Sequence, residues 1–181
     1  MKTITLFLSI AILPIIGFSQ SIFDKYEDMD KVSSVIVNKS MIDFVSAIGV
    51  DENDQDAKDF IDIASGLRSL KVFITEDKQA SIDMNATVKQ YLNSSKLEEL
   101  MRVKDDDVNV KFYIREGKDK DHVNELLMFV TGMNKVKVDM NGRNIETVLV
   151  SLTGDIDLNK IGSLTNKMNL PKELKKAGKS R

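Results

Sequence analysis

The stretch KVKVDMNGRNIETVLVSL, residues 135–152, decides the fold. Two β-patterned runs meet at Asn141-Gly142, a pair that tolerates the positive φ angles of a two-residue type I′ hairpin. That loop pairs Met140 with Arg143, Val138 with Ile145, and Lys137 with Glu146. An apolar pair and an opposite-charge pair then fall on opposite faces, so the register is self-consistent. The second arm goes further. Ile145, Thr147 and Leu149 face one way while Val148, Val150 and Leu152 face the other, so the strand becomes apolar on both sides. Such a strand reads as a central one, covered on both faces by helices or by the N-terminal segment. The alternative is an exposed groove or a dimer surface.

Working outward, Val110, Phe112 and Ile114 alternate with Lys111, Tyr113 and Arg115, the period of a half-buried strand. Residues 32–38 and 69–75 are rich in β-branched side chains and read as strands. Residues 122–131 fit either a helix or a strand, and the short length and turn-like flanks favour a strand. In residues 96–104, the Ser95 and Glu98 spacing of a capping box predicts a short helix. That helix runs into a strand able to pair across Asp105-Asp106-Asp107 with its successor.

Helical spacing appears in Met41, Phe44, Val45 and Ile48, in Phe60, Ile63, Ala64 and Leu67, and in Leu158, Ile161, Leu164, Thr165 and Met168. A fourth helix is expected from Lys78 to Leu92, with Asp77 as its cap and Met84, Val88 and Tyr91 on one face. The expected class is α+β: a mainly antiparallel β-sheet, a meander with the Asn-Gly hairpin, packed with about four helices. Gly154 is expected to allow a tight turn at the end of the last strand, before a final helix capped by Asp157.

The 181 residues include 26 Lys+Arg, 28 Asp+Glu, one His and no Cys. Without cysteine there are no disulfides, thiolate-held metals or thiol nucleophiles, and a single histidine leaves little for a multi-histidine site. A formal charge of -2 supplies no clustered cation to hold nucleic acid. Residues 1–19 read as a cleaved signal peptide, because Lys2 precedes an apolar run and Gly17 and Ser19 have signal-peptidase spacing. The run contains Pro14 and falls short of the roughly 20 residues a spanning helix needs. With no cysteine at the cleavage point the product is not a lipoprotein, and no transmembrane span is expected after cleavage. Residues 20–170 are read as a single domain. Residues 171–181, with five basic residues and one acidic, are read as a solvated tail.

No catalytic, cofactor-binding or metal-binding residue is assigned. Asp155, Asp157 and Asn159 have the spacing that opens a calcium loop. Lys160 and Asn166, however, stand where glycine and a bidentate glutamate are needed, so capping and a strand end explain them better. Residues 51–56 are read as a hydrated acidic turn. Asn38-Lys39-Ser40, Asn85-Ala86-Thr87 and Asn93-Ser94-Ser95 match the glycosylation pattern that chance often produces. His122, the one available imidazole, lacks a nucleophile elbow and reads as a plain surface or edge-strand residue.

Taken together, residues 27–44 (EDMDKVSSVIVNKSMIDF), LEELMRVKDD before VKFYIRE, NELLMFV, and VLVSLTGDIDLNKIGSL resemble the bacterial domain of unknown function 4252. The resemblance covers nearly the whole chain after the leader and rests on the order of segments. It implies a small exported protein with no assigned activity, and a link to envelope signalling through extracytoplasmic-function sigma factors. The stretch NKVKVDMNGRNIETV is extended relative to the family's pattern.

The expected function is that of an exported, non-catalytic envelope protein, periplasmic or secreted. It would bind an unknown envelope protein or a small apolar ligand, without nucleic acid or a cofactor. The alternative is a hydrolase using carboxylates or a Ser/Lys pair, which composition alone does not single out.

Overall fold

The computed structural model describes residues 21–48, 61, 64–105, 107–133 and 144–159. A 3-10 turn at Asp24–Tyr26 leads into strand β1 (Val32–Asn38), helix α1 (Lys39–Ile48), strand β2 (Leu67–Thr75) and helix α2 (Lys78–Ser94). Strands β3 (Glu98–Asp105), β4 (Val108–Glu116), β5 (His122–Thr131) and β6 (Thr147–Asp157) follow. They form one sheet in the order β1-β2-β6-β5-β4-β3. Every neighbouring pair is antiparallel. The expected α+β class and the meander from β3 to β6 are therefore present.

The two-sided apolar strand, β6, lies inside the sheet between β2 and β5. On one face Leu149 is fully buried, in a core with Phe73, Leu127, Phe129 and Tyr113 of the sheet and Met84 and Val88 of α2. Phe23 and Tyr26 of the N-terminal turn complete that core. On the other face Ile156 packs with Ile42 of α1, Leu67, Ile114, Val123 and Leu126, with Leu152 alongside. Helices and the N-terminal segment thus share the covering of β6, as its residue pattern requires.

Six expectations need correction or placement. Among the described residues there are two α-helices, α1 and α2, in place of about four. Of the helix expected over 60–67, Ile61, Ala64 and Ser65 are helical, while Leu67 already opens β2. The expected helix beginning at Leu158 lies outside the described residues beyond Asn159.

The Asn141-Gly142 turn and the arm before it also lie outside them, and the second arm enters the sheet only at Thr147. From there both edges of β6 are occupied, since Thr147 pairs with Thr131 of β5 and with Thr75 of β2.

Residues 98–105 form strand from Glu98 onward, with no helix at the start. Ser95 is instead the C-cap of α2, its N–H bonding the Tyr91 carbonyl. The capping-box spacing was outweighed by the β4 edge, along which Asp105 pairs with Val108 across the expected turn.

Helix α2 matches its pattern closely. The Asp77 carboxylate accepts the Ala80 N–H at 3.0 Å, and Met84 and Val88 face the core.

Gly154 does not end β6. It sits within the strand at φ 146°, beside an irregularity between Leu67 and Ser69 where the strand leans against β2. A Cβ there would lie 2.3 Å from the Gly66 oxygen and 2.7 Å from the Leu67 Cα, and the next N–H, that of Asp155, bonds the same Gly66 oxygen at 2.8 Å. Backbone cannot yield as a flexible side chain does. Gly154→Ala is therefore expected to cost about 1–3 kcal/mol, the scale of a strained backbone site. Denaturant midpoints of the two proteins check it, and equal midpoints refute it.

Candidate functional site

The residues weighed for chemistry in the sequence occupy ordinary structural positions. His122 opens β5, an interior strand, and its Nδ1 lies 2.7 Å from the Asp119 carboxylate within the preceding turn. That hydrogen bond holds Asp119 below the usual carboxylate range. No hydroxyl hydrogen-bonds the imidazole among the described residues. Asp155 pairs with Lys118 at 2.6 Å, and Asp157 accepts the Asn159 N–H at 2.9 Å, the bond of a capping residue. No cluster of three metal-ligating side chains occurs among the described residues. Residues 51–56 lie outside them. In the glycosylation-like triplets, Asn38 caps α1 by accepting the Met41 N–H, and Thr87 is buried.

Three polar constellations that pattern reading did not assemble lie on the face under α2. Glu125 is 5% exposed, and its two oxygens accept the Tyr91 hydroxyl at 2.7 and 2.9 Å. Arg115 adds an ion pair at 2.9 Å. Burial, then the Glu125 carboxylate, pushes the Tyr91 phenol up to about 12. Glu125 shares its parity with Leu127 and Phe129, which is the sequence signal that it points inward.

Lys71 pairs with Asp24 and, at 2.6 Å, with Glu27. Burial would depress its ammonium, but the two carboxylates outweigh that and raise it.

Tyr26, fully buried, donates to the Asp83 carboxylate at 2.6 Å and lies 2.7 Å from the Thr87 hydroxyl. Burial, reinforced by Asp83, raises its phenol well above the usual range. Hydrogen bonds first from Lys25 and then from Tyr26 hold Asp83 low. Apart from Arg115 Nε, which is buried without a hydrogen-bond partner, these groups meet partners inside the chain, and the clusters lock the N-terminal turn and α2 onto the sheet.

Among the described residues, most of the exposed large apolar side chains gather at the corner formed by β1 and α1. Helix α1 carries the apolar stripe Met41, Phe44 and Val45, which the helical pattern aims at the core. The structure buries Ile42 instead, leaving Met41 50%, Phe44 60% and Val45 37% exposed. At 3.6 residues per turn Phe44 stands about 160° from Ile42, so one helix cannot bury both against one sheet.

Beside it, β1 is the outermost of the described strands, and Val35 and Ile36, on opposite faces of it, are 53% and 38% exposed. Val35 begins a lateral row, Val35-Val72-Val150-Met128-Phe112-Met101, that is apolar from one edge of the sheet to the other. An open depression of about 520 Å³ adjoins the start of β1, lined by Lys31, Val32, Ser33, Ile74, Glu76 and Asp77. Its Lys31 is paired with Asp77 at 3.0 Å.

The two sheet edges differ in kind. The outer strand β3 carries Glu98, Glu99, Arg102, Lys104 and Asp105, with a register irregularity between Glu99 and Met101. Charges and bulges of this sort stop an edge from acquiring another strand. Strand β1, VSSVIVN, has no charge and no proline, and pairs with β2 residue by residue without a shift.

The sequence matches the family described as domain of unknown function (DUF4252) over residues 26–164, from the buried Tyr26 through the whole sheet. The chain belongs to the DUF4252 family. No curated protein and no solved structure matches it. In this DUF4252 chain no helix among the described residues is long and apolar enough to cross a membrane.

The Tyr26–Asp83 contact gives a pH-dependent prediction. Because the Asp83 carboxyl is lowered in the fold, its stabilisation is present at neutral pH and is lost as pH falls through its folded value. Asp83→Asn is expected to lower the melting temperature at neutral pH, with the gap to wild type closing in acid. Tyr26→Phe removes the bridging hydroxyl and is expected to cost about 1–3 kcal/mol. Melting curves across pH check both, and a gap constant with pH would contradict the assignment.

Proposed function

We propose that this chain is an exported, non-catalytic interaction module of the cell envelope, and that the β1–α1 corner is where a partner docks. The observation that carries the reading is an uncharged, unbulged edge strand flanked by exposed Val35, Ile36, Met41 and Phe44. Proteins normally guard such an edge, and an unguarded one suits strand addition, in which backbone hydrogen bonds provide affinity and alternate side chains provide selectivity. Export rests on residues 1–19, whose charged start, apolar run and small residues have the form of a leader. The buried polar clusters support a binding role, since their charges are spent on one another rather than aimed at a cleft.

A photo-crosslinking amino acid at Phe44, in cells carrying the full chain, tests the docking surface. Ile82 of α2 is the control, being 61% exposed against 60% for Phe44. A discrete adduct at Phe44 and none at Ile82 is expected, and matching results at the two positions would defeat the proposal. Mass measurement of the exported form is expected to show cleavage after Ser19.

A further inference from the structure

We infer that Gln20, which becomes the first residue once residues 1–19 are removed, closes into a pyroglutamyl lactam, so that the exported chain carries no free α-amine. The inference rests on the leader reading above and deepens it by assigning the chemistry of the end that cleavage creates. Gln20 lies just before the first described residue, Ser21.

The reaction needs nothing beyond the residue itself. The lone pair of the α-nitrogen attacks the side-chain Cδ, and a new carbon–nitrogen bond closes a five-membered ring. The bond from Cδ to Nε breaks, and the amide nitrogen leaves as ammonia with a proton from the amine. No oxidant, reductant or cofactor enters. Both reacting groups belong to one residue, so the attack escapes the entropy cost of bringing two molecules together. Only a neutral amine can attack. An α-amine has a pKa of about 7.7–8.0, so roughly a tenth of it is neutral at pH 7. In the precursor the same nitrogen is a peptide amide whose lone pair is delocalised into the preceding carbonyl, so the ring closes only after cleavage.

The fold begins immediately after this residue. The Ser21 carbonyl accepts the Asp24 N–H at 2.8 Å, and the Ser21 hydroxyl accepts the Phe23 N–H at 3.3 Å. Phe23 is 1% exposed, and its ring stands edge to face with that of Tyr91 at 5.0 Å. Tyr26 follows in the same core. Stepwise trimming from this end would therefore reach the core after Gln20, Ser21 and Ile22, with no dispensable tail to lose first. Aminopeptidases take hold of a free α-ammonium, and the lactam replaces that charge with a neutral amide. The ring thus seals the end from which the aromatic turn is most easily lost.

The test reads the N-terminal peptide of the full chain, expressed with its own leader and recovered from the exported fraction after incubation at neutral pH. Free amines are blocked by reductive methylation of the unfolded protein. A glutamyl endopeptidase then releases residues 20–27, QSIFDKYE, in which Gln20 is the only amide side chain. Loss of one ammonia from this peptide can therefore come only from Gln20. The expected wild-type peptide lacks one ammonia and carries no methyl label on its α-nitrogen. Gln20→Ala, cleaved at the same place, is expected to keep its amine and take the label.

A wild-type peptide that begins at Gln20 with a labelled α-amine overturns the lactam and leaves the leader standing. A chain that retains residues 1–19, or that begins elsewhere, overturns both. A Gln20→Ala terminus that also refuses the label reveals a block of another kind and overturns the assignment as well.

Discussion

Strand β6 is apolar on both faces, and the need to cover them organises the molecule. Its side chains alternate between two separate cores, one centred on Leu149 and the other on Ile156. Neither core closes without elements from distant parts of the sequence. Helix α2 and the aromatic N-terminal turn seal the first, while α1 and the start of β2 contribute to the second. The sheet order follows from the same need, since a strand with two apolar faces is best protected between neighbours on each side. Gly154 is the local concession that lets β6 lean against the backbone at Gly66 and Leu67 while continuing to Asp157.

Polar groups inside the first core serve register more than chemistry. Ser81 and Thr147 approach to 2.6 Å, and Thr75 donates to the Lys31 carbonyl while accepting the Asp77 N–H. Those bonds tie the end of β2 to the starts of β1, α2 and β6. Glu125, Tyr91 and Arg115 do comparable work near the far end of α2. Leaving any one of these buried groups without its partner would expose the desolvation cost of the other, so such clusters define one way of seating the helix. Tyr26 extends the same logic to the N-terminal turn, which Lys71 also ties to β2 through Asp24 and Glu27.

The surface divides between a guarded and an unguarded edge. Strand β3 combines charged side chains with an irregular register, whereas β1 combines neutral side chains with a regular one. The apolar stripe of α1 lies next to the unguarded edge and turns away from the sheet. These features arise from different residues and different physical causes, yet they meet at one corner.

Membership of the DUF4252 family, the strands at 32–38, 69–75 and 122–131, and helix α2 with its Asp77 cap were legible in the chain, because each depends on local spacing or on short-range hydrogen bonds. So was the need to cover β6 on both sides, which its alternating side chains announce. The partners of β6 were not legible. Neighbouring residues can propose a hairpin, but only the whole sheet decides which strands occupy both edges. The same holds for α1: its periodicity identifies an apolar stripe, while the sheet chooses which side to bury, and it chose Ile42 over Phe44. The exposed apolar corner of β1 and α1 therefore exists only at the tertiary level, as the remainder of a competition for buried area that no single segment can settle.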